Sequence, residues 1–195
     1  MVGGWRGVAI VGFLAAFGVA DAQAKKPKPA APEAPAPAEK PPVPRFEKTA
    51  IGTCGCFQYA PPGLVVEAPT KSPDGADVWN ASTHFGGFEF GVIAVRFGEP
   101  FPTTDGLEDL LVGYLDFLKG QVGIVSAAGV GRGHRLDSNP AAVGVIDYWK
   151  DGEGDTWAVK GWVDPKRLAV VYVAGKGEYP YFSAQQLFLD GFRFE

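Results

Sequence analysis

Cys54 and Cys56 are the two cysteines of this 195-residue sequence, and they stand one glycine apart. At that spacing two sulfurs either bond to each other or offer a pair of thiolates to a soft metal ion. A bond between them closes a very small ring around Gly55, and strain in such a ring makes a disulfide easier to reduce. Cys54 and Cys56 are therefore read as a disulfide, acting either as a local staple on a loop or as a redox-active or metal-binding pair. His84 and His134 complete the set of soft ligands. Their spacing from the cysteines fits no compact zinc pattern, and each reads as a surface or hydrogen-bonded residue.

The carboxylates offer three further possibilities. Asp151-Gly152-Glu153-Gly154-Asp155 places acids at positions one, three and five, as a calcium loop begins, but position twelve is Trp162 where a bidentate Glu is needed. The segment reads as a solvated hairpin tip. Asp147 is the best isolated acid for catalysis: it falls on an apolar strand face beside Trp149 and Val159, and burial would raise its pKa as general acid-base chemistry requires. The plainer reading pairs it with a basic neighbour or water. Gly129-Val130-Gly131-Arg132-Gly133 is glycine-rich like a phosphate loop, yet neither Lys-Ser/Thr nor a clear helix follows it. Trp79, Trp149, Trp157 and Trp162 could line a ligand groove or fill a core. No Ser-His-Asp or Cys-His set can be assembled from the sequence context of these residues.

The elements that must position these groups are organised around residues 156–174. Two runs rich in valine and aromatics flank Asp164-Pro165-Lys166-Arg167, where Pro165 presets the first central angle of a turn. A four-residue loop puts Trp157, Val159, Val163, Leu168, Val170 and Tyr172 on one face and Ala158, Lys160, Trp162, Ala169, Val171 and Val173 on the other. Neither face is clearly polar, so the hairpin is expected at the centre of a sheet covered on both sides. The strand over 141–150 joins it through a five-residue loop, which sets Trp149 opposite Trp157 and Gly144 opposite Trp162.

Upstream, 77–84 and 88–97 read as a hairpin turning at Gly86-Gly87, with shorter strands at 57–59 and 64–67. Leu107, Leu110, Leu111, Tyr114, Phe117 and Leu118 recur at helical spacing. Asp105 with Glu108 resembles a capping box, and Gly120 sits where a helix would end. Weak strands are expected over 121–130 and 134–137. A second, short helix lies between 179 and 190, with Ser183 and Gln186 as its capping box, Phe182 and Leu187 as a hydrophobic staple, and Gly191 as its stop.

Residues 8–20 form an apolar stretch after Arg6 and before small residues at 20–24, the pattern of an export signal. Thirteen residues are too few to span a bilayer core as a helix. The mature chain is expected to begin at Gln23 or close to it, which mass spectrometry of the exported protein reads directly; an intact Met1 on a membrane-bound species would contradict it. Residues 25–45 hold eight prolines among alanines and lysines, a composition that favours extended, polyproline-like chain. Residues 46–195 carry twelve basic and nineteen acidic side chains, which argues against nucleic acid as their partner.

This order of elements, carried by residues 86–97, 107–118, 157–174 and Phe188-Leu189-Asp190-Gly191-Phe192, resembles the Mog1/PsbP-like fold, including exported bacterial proteins of the DcrB type. The resemblance covers most of residues 50–195. It implies a binding or accessory module and transfers no functional residue. The expected architecture is α+β: a mainly antiparallel sheet with one long and one short helix packed on it, after a signal peptide (1–22) and a Pro/Ala/Lys-rich tether (23–45), with the domain over 46–195. The expected function is an exported, non-enzymatic binding or accessory module, periplasmic or secreted, whose partner is another envelope protein or a small ligand. No cofactor, catalytic residue or metal ligand is assigned, and no stable membrane span is expected unless the signal segment stays uncleaved. The alternative is a redox-active or metal-binding protein using Cys54 and Cys56.

Overall fold

The structure is a computed structural model that describes residues 43–195. The expected signal peptide and all but the last three residues of the tether lie outside the described residues. The chain begins with β1 (Glu47–Ala50), β2 (Cys56–Ala60), β3 (Val65–Val66) and β4 (Thr70–Lys71), followed by the hairpin β5 (Asp77–Phe85) and β6 (Phe88–Arg96). Helix α1 (Leu107–Gln121) comes next, then β7 (Ile124–Ala127), β8 (Gly131–Leu136), β9 (Asn139–Asp151), β10 (Asp155–Val163) and β11 (Arg167–Lys176). Helix α2 (Phe182–Leu189) and β12 (Arg193–Phe194) complete the chain.

The long strands form one antiparallel sheet in the order β3-β5-β6-β11-β10-β9-β7, with β4 on β5 and β8 on β9. The meander pairs in the expected register, Trp157 with Trp149 and Trp162 with Gly144. Trp162 lies across Gly144, and a Cβ there would collide with the indole ring, so the glycine is required by the aromatic that covers it. Both faces of the central hairpin are buried, which is why neither reads as polar. Ala158, Trp162, Ala169, Val171 and Val173 face one core. Val159, Val163, Leu168 and Val170 face the other.

Helix α1 covers the second face through Leu107, Leu111 and Leu115, each fully buried and each worth on the order of 2 kcal/mol of transfer free energy. The buried stripe thus includes Leu115, which the sequence reading omitted, beside the expected Leu107 and Leu111, with Leu110, Tyr114 and Leu118 at its margin. The expected ends of α1 are corrected. Its N-cap is Gly106 in the left-handed region, no side chain among the described residues caps it, and Gly120 is helical while Gly123 carries the left-handed angle. Glu108 is drawn away from capping by Arg132 and the Gly133 N–H.

The first face is covered by α2 and by a small sheet, β1-β2-β12, that ties together distant parts of the chain. Ala184, Phe188 and Leu189 point inward from α2. Two expectations fail here. Ser183 makes no capping bond among the described residues, and Phe182 and Leu187 are 67% and 54% exposed, so they form no staple.

Candidate functional site

Cys54 and Cys56 lie at the start of β2, each 3% exposed within the first core, with their sulfurs against each other and their Cα atoms 5.5 Å apart. Two arginines, register partners on β6 and β11, hold the backbone around them. Arg96 donates to the Thr53 carbonyl at 2.9 Å and to Asp77 at 2.8 Å, with its guanidinium over the Trp79 ring. Arg167 donates to the Gly55 carbonyl, to the Glu195 carbonyl at 2.9 Å and, through Nη2, to Asp164 Oδ2 at 2.8 Å. Asp164 is 3% exposed, and its other oxygen accepts the N–H groups of Lys166 and Arg167. The Glu195 N–H closes the arrangement on Gly55. Thiol-disulfide exchange needs an attacking thiolate to reach a sulfur, and burial of both sulfurs obstructs that approach. This geometry serves the staple better than the redox centre.

The other sequence candidates are dispersed. His84 on β5 and His134 on β8 have four strands between them. Among the described residues no group of three or more His, Cys, Asp or Glu is placed to hold a metal ion. Burial, and then the neighbouring Lys160, depress the His134 pKa below its ordinary value. Lys160 was missed as a candidate: it is 6% exposed on the first face, paired with Asp190 and lying over the Trp162 ring. A lysine alternating with core residues signals only that some acid must meet it; the identity of Asp190 comes from where α2 ends.

Asp147 is fully buried on the α1 face, as its register position required, but it is not an isolated acid. Its Oδ1 accepts the N–H groups of Tyr148 at 2.8 Å and Gly129 at 3.1 Å. Its Oδ2 lies 2.9 Å from Lys119 Nζ in an ion pair, off the direction of a good hydrogen bond. Burial pulls Lys119 down, and its pairing with the Asp147 and Asp116 carboxylates outweighs that, so the ammonium is held above its ordinary value. Asp147 thus anchors the last turn of α1 and the glycine loop to β9, a structural role in place of the catalytic one weighed above. The expected glycine-rich connection is already strand β8 from Gly131 onward, and it too serves α1, since Arg132 bridges Glu108 and Asp109.

At the hairpin tip, Asp151 accepts the N–H groups of Glu153 at 3.0 Å and Asp155 at 2.8 Å, and the Trp157 indole donates to its Oδ2 at 3.0 Å. The tip is organised from within. That indole bond, ahead of the backbone ones and against a desolvation penalty, holds the Asp151 carboxyl below its ordinary 3.8. A depressed carboxyl contributes stability that is present above the unfolded-state value near 4 and is lost as pH falls through the lower folded-state value. Asp151→Ala is therefore expected to lower the melting temperature at pH 7, with the deficit shrinking towards pH 3, and to red-shift Trp157 emission. An equal deficit at both pH values would contradict the linkage.

Asp151 thereby fixes one wall of a groove. On the α1 face, Trp149 and Trp157 lie 6.5 Å apart between ring centroids, and Trp157 and Tyr172 5.1 Å apart, the three rings tilted in a row across β9, β10 and β11. Helix α1 packs on β9, β10 and β7 and leaves the row open towards β6, where Ile93, Leu118 and the 38% exposed Val122 complete a cleft of about 60 Å³. Tyr172 lies flat over Gly91, where any Cβ would strike its ring. Its hydroxyl donates to Glu89 at 2.8 Å, and burial, then the charges of Glu89 and Glu67, push its pKa upward, so it stays a donor. Trp149 is 4% exposed, and its Nε1 has no hydrogen-bond partner among the described residues. The other two domain tryptophans, Trp79 and Trp162, belong to the opposite core.

A larger hollow of about 400 Å³ lies at the start of α1, lined by Thr104, Asp105, Glu108, Asp109, Arg132 and Arg135. It is polar and open, and Arg132 is already neutralised by two acids in its wall. The aromatic cleft is much smaller, but its lining is apolar and aromatic with few polar groups, as the linings of small-molecule sites are.

No known protein family matches the chain, and no curated protein matches it. Among solved structures it is similar to an uncharacterised protein from Mycobacterium smegmatis, with 16% identity and a TM-score of 0.35 over 69% of this chain and 66% of that one. The chain thus spans just under two thirds of that protein's length. A likeness at this level assigns neither a family nor a partner.

Proposed function

We propose that this chain is an exported, non-enzymatic binding module, periplasmic or secreted, and that its ligand or envelope partner seats on the aromatic cleft of Trp149, Trp157 and Tyr172. The observation that carries the reading is the open aromatic row itself. Aromatic side chains are the most valuable groups to bury, and here three of them border a cleft that the nearest helix does not fill. Export rests on the apolar segment and small residues at 8–24, and the Pro-rich stretch over 25–45 suits a tether. The Mog1/PsbP-like resemblance is part of the same proposal, supported by the order of hairpin, long helix, meander and closing helix. Cys54 and Cys56 enter it as a buried disulfide staple, because neither sulfur is open to a reaction partner.

The test is photo-crosslinking in the native envelope from a benzoylphenylalanine placed at position 122, on the rim of the cleft. A discrete adduct that disappears when Trp157→Ala is added supports the reading. An adduct of equal yield in that variant, or one obtained only from a control position on α2, contradicts it.

A further inference from the structure

We propose that the open edge of β7 pairs two copies of this chain into a twofold dimer, strand against strand. The proposal does not rest on the aromatic cleft, which lies on the α1 face of the sheet. Strand β9 has β10 along one side and, along the other, β7 and β8 end to end. β7 is therefore the last strand of the large sheet at that end. The Ala128 N–H donates to the Tyr148 carbonyl at 2.9 Å, and successive residues of an antiparallel strand direct their backbone groups to opposite sides. Ala127 accordingly turns its N–H and C=O away from β9 and towards solvent.

Such an edge is a template for another strand unless charge, proline or very short length blunts it. The other edges among the described residues are blunted: β1 carries Glu47 and Lys48, β12 carries Arg193, β4 carries Lys71, and β3 is two residues long. β7 is not. Residues 121–130 read Gln-Val-Gly-Ile-Val-Ser-Ala-Ala-Gly-Val, without a charge or a proline, in a domain that holds nineteen acids and twelve bases. Val125 is 69% exposed, and Ser126, Ala127 and Ala128 are exposed beside it. The register slip between Ile124 and Ser126 falls at the start of the strand and leaves Ser126, Ala127 and Ala128 in regular pairing with β9.

The charges at the two ends of β7 select its occupant. The Gly152 N–H donates to the Gly123 carbonyl at 3.2 Å, which sets the acidic tip 151–155 beside the start of β7. Glu153 in that tip is exposed, and its carboxylate has no ion pair among the described residues. Past the other end, β8 continues along β9 with Arg132, His134 and Arg135, and Arg135 is likewise exposed and without an ion pair among the described residues. In an antiparallel pair of identical strands the start of each lies by the end of the other. A twofold axis through β7 thus brings each acidic tip alongside the other copy's arginines. The uncharged centre sets no like charges opposite each other, although both domains are acidic. A second copy matches both ends at once, whereas a foreign strand of uniform charge is repelled at one of them.

Sedimentation equilibrium of the untruncated protein, as the cell delivers it, is expected to show a reversible dimer with a dissociation constant on the order of 100 μM, since so short a pairing belongs with the small, weak interfaces. Exchange of the Ala127 N–H with water, read by NMR, should slow as protein concentration rises. Ala127→Pro deletes that donor and keeps the bonds between β7 and β9, while Val125→Lys sets like charges on the two copies; each should weaken the dimer by about tenfold or more. If Ala127→Pro does not fold, Val125→Lys decides alone. Val65→Lys, at the 67% exposed residue of β3 on the opposite edge, should leave the dimer unchanged. A protein that stays monomeric up to about 1 mM overturns the proposal. So does a dimer that survives the β7 substitutions, or an Ala127 N–H that is protected only after a foreign protein is added.

Discussion

Replacing Arg167 by methionine is expected to lower the unfolding free energy by about 3 kcal/mol or more, the cost of stranding a buried charge whose partner is removed. Asp164 is 3% exposed and would lose both guanidinium bonds, retaining Asn139 and two backbone N–H groups. The Gly55 and Glu195 carbonyls would each lose a donor, loosening the ladder between β2 and β12. Lysine should not restore the loss, because one ammonium cannot serve Asp164, Gly55 and Glu195 from a single point. Urea unfolding of the two variants measures this. The Cys54–Cys56 link encloses so few residues that the chain-entropy relation gives it only about 1.5 kcal/mol, so reducing the wild-type protein should cost less than losing Arg167. A larger loss on reduction than in the arginine variant would mean that the sulfurs, not the guanidinium, hold this end of the sheet.

Lys119→Met is expected to cost about 3 kcal/mol, somewhat moderated because the lysine is 19% exposed while Asp147 is fully buried. Asp147 would keep two backbone donors but no positive charge. Combining Lys119→Met with Asp147→Asn should recover part of the loss, since a neutral amide no longer needs the cation. Denaturant curves for the cycle decide the point, and additive losses would show that Lys119 and Asp147 are not coupled. The last turn of α1 carries Leu118 into the cleft, so Lys119→Met should also alter the Trp157 environment.

The centre of the fold was legible because its physics is local and repetitive. Alternating valines and aromatics around Pro165 determine the register of β10 and β11, and the five-residue loop at Asp151–Asp155 correctly placed Trp149 against Trp157 and Trp162 over Gly144. Helix α1 was visible in its spacing, but its limits were not. Asp105 and Glu108 look like a capping box, yet Glu108 is claimed by Arg132 from β8, more than twenty residues away. The same holds for α2, where Phe182 and Leu187 suggested a staple and instead face outward. The small sheet escaped notice because β12 pairs with β2 across nearly the whole domain, and two-residue pairings leave no periodic trace.

The site was half legible for a related reason. The register put Trp157, Val159, Val170 and Tyr172 on one face, and these four help line the cleft. What sequence could not show is that α1 settles over β9 and β10 and stops short of β6. Asp147 illustrates the converse. Its burial followed from register, but its apparent isolation vanished once α1 delivered Lys119 to it.

The claim at the centre of this account is that the α1 face, and not the opposite core or the cysteine pair, receives the binding partner. The four domain tryptophans divide evenly between the two faces, so the indole spectrum of the full chain is a direct reporter. A panel of small amphipathic fragments, added singly, should yield binders that shift Trp149 and Trp157 while Trp79 and Trp162 stay in place. Binders that shift Trp79 or Trp162 and leave Trp157 unmoved would contradict it.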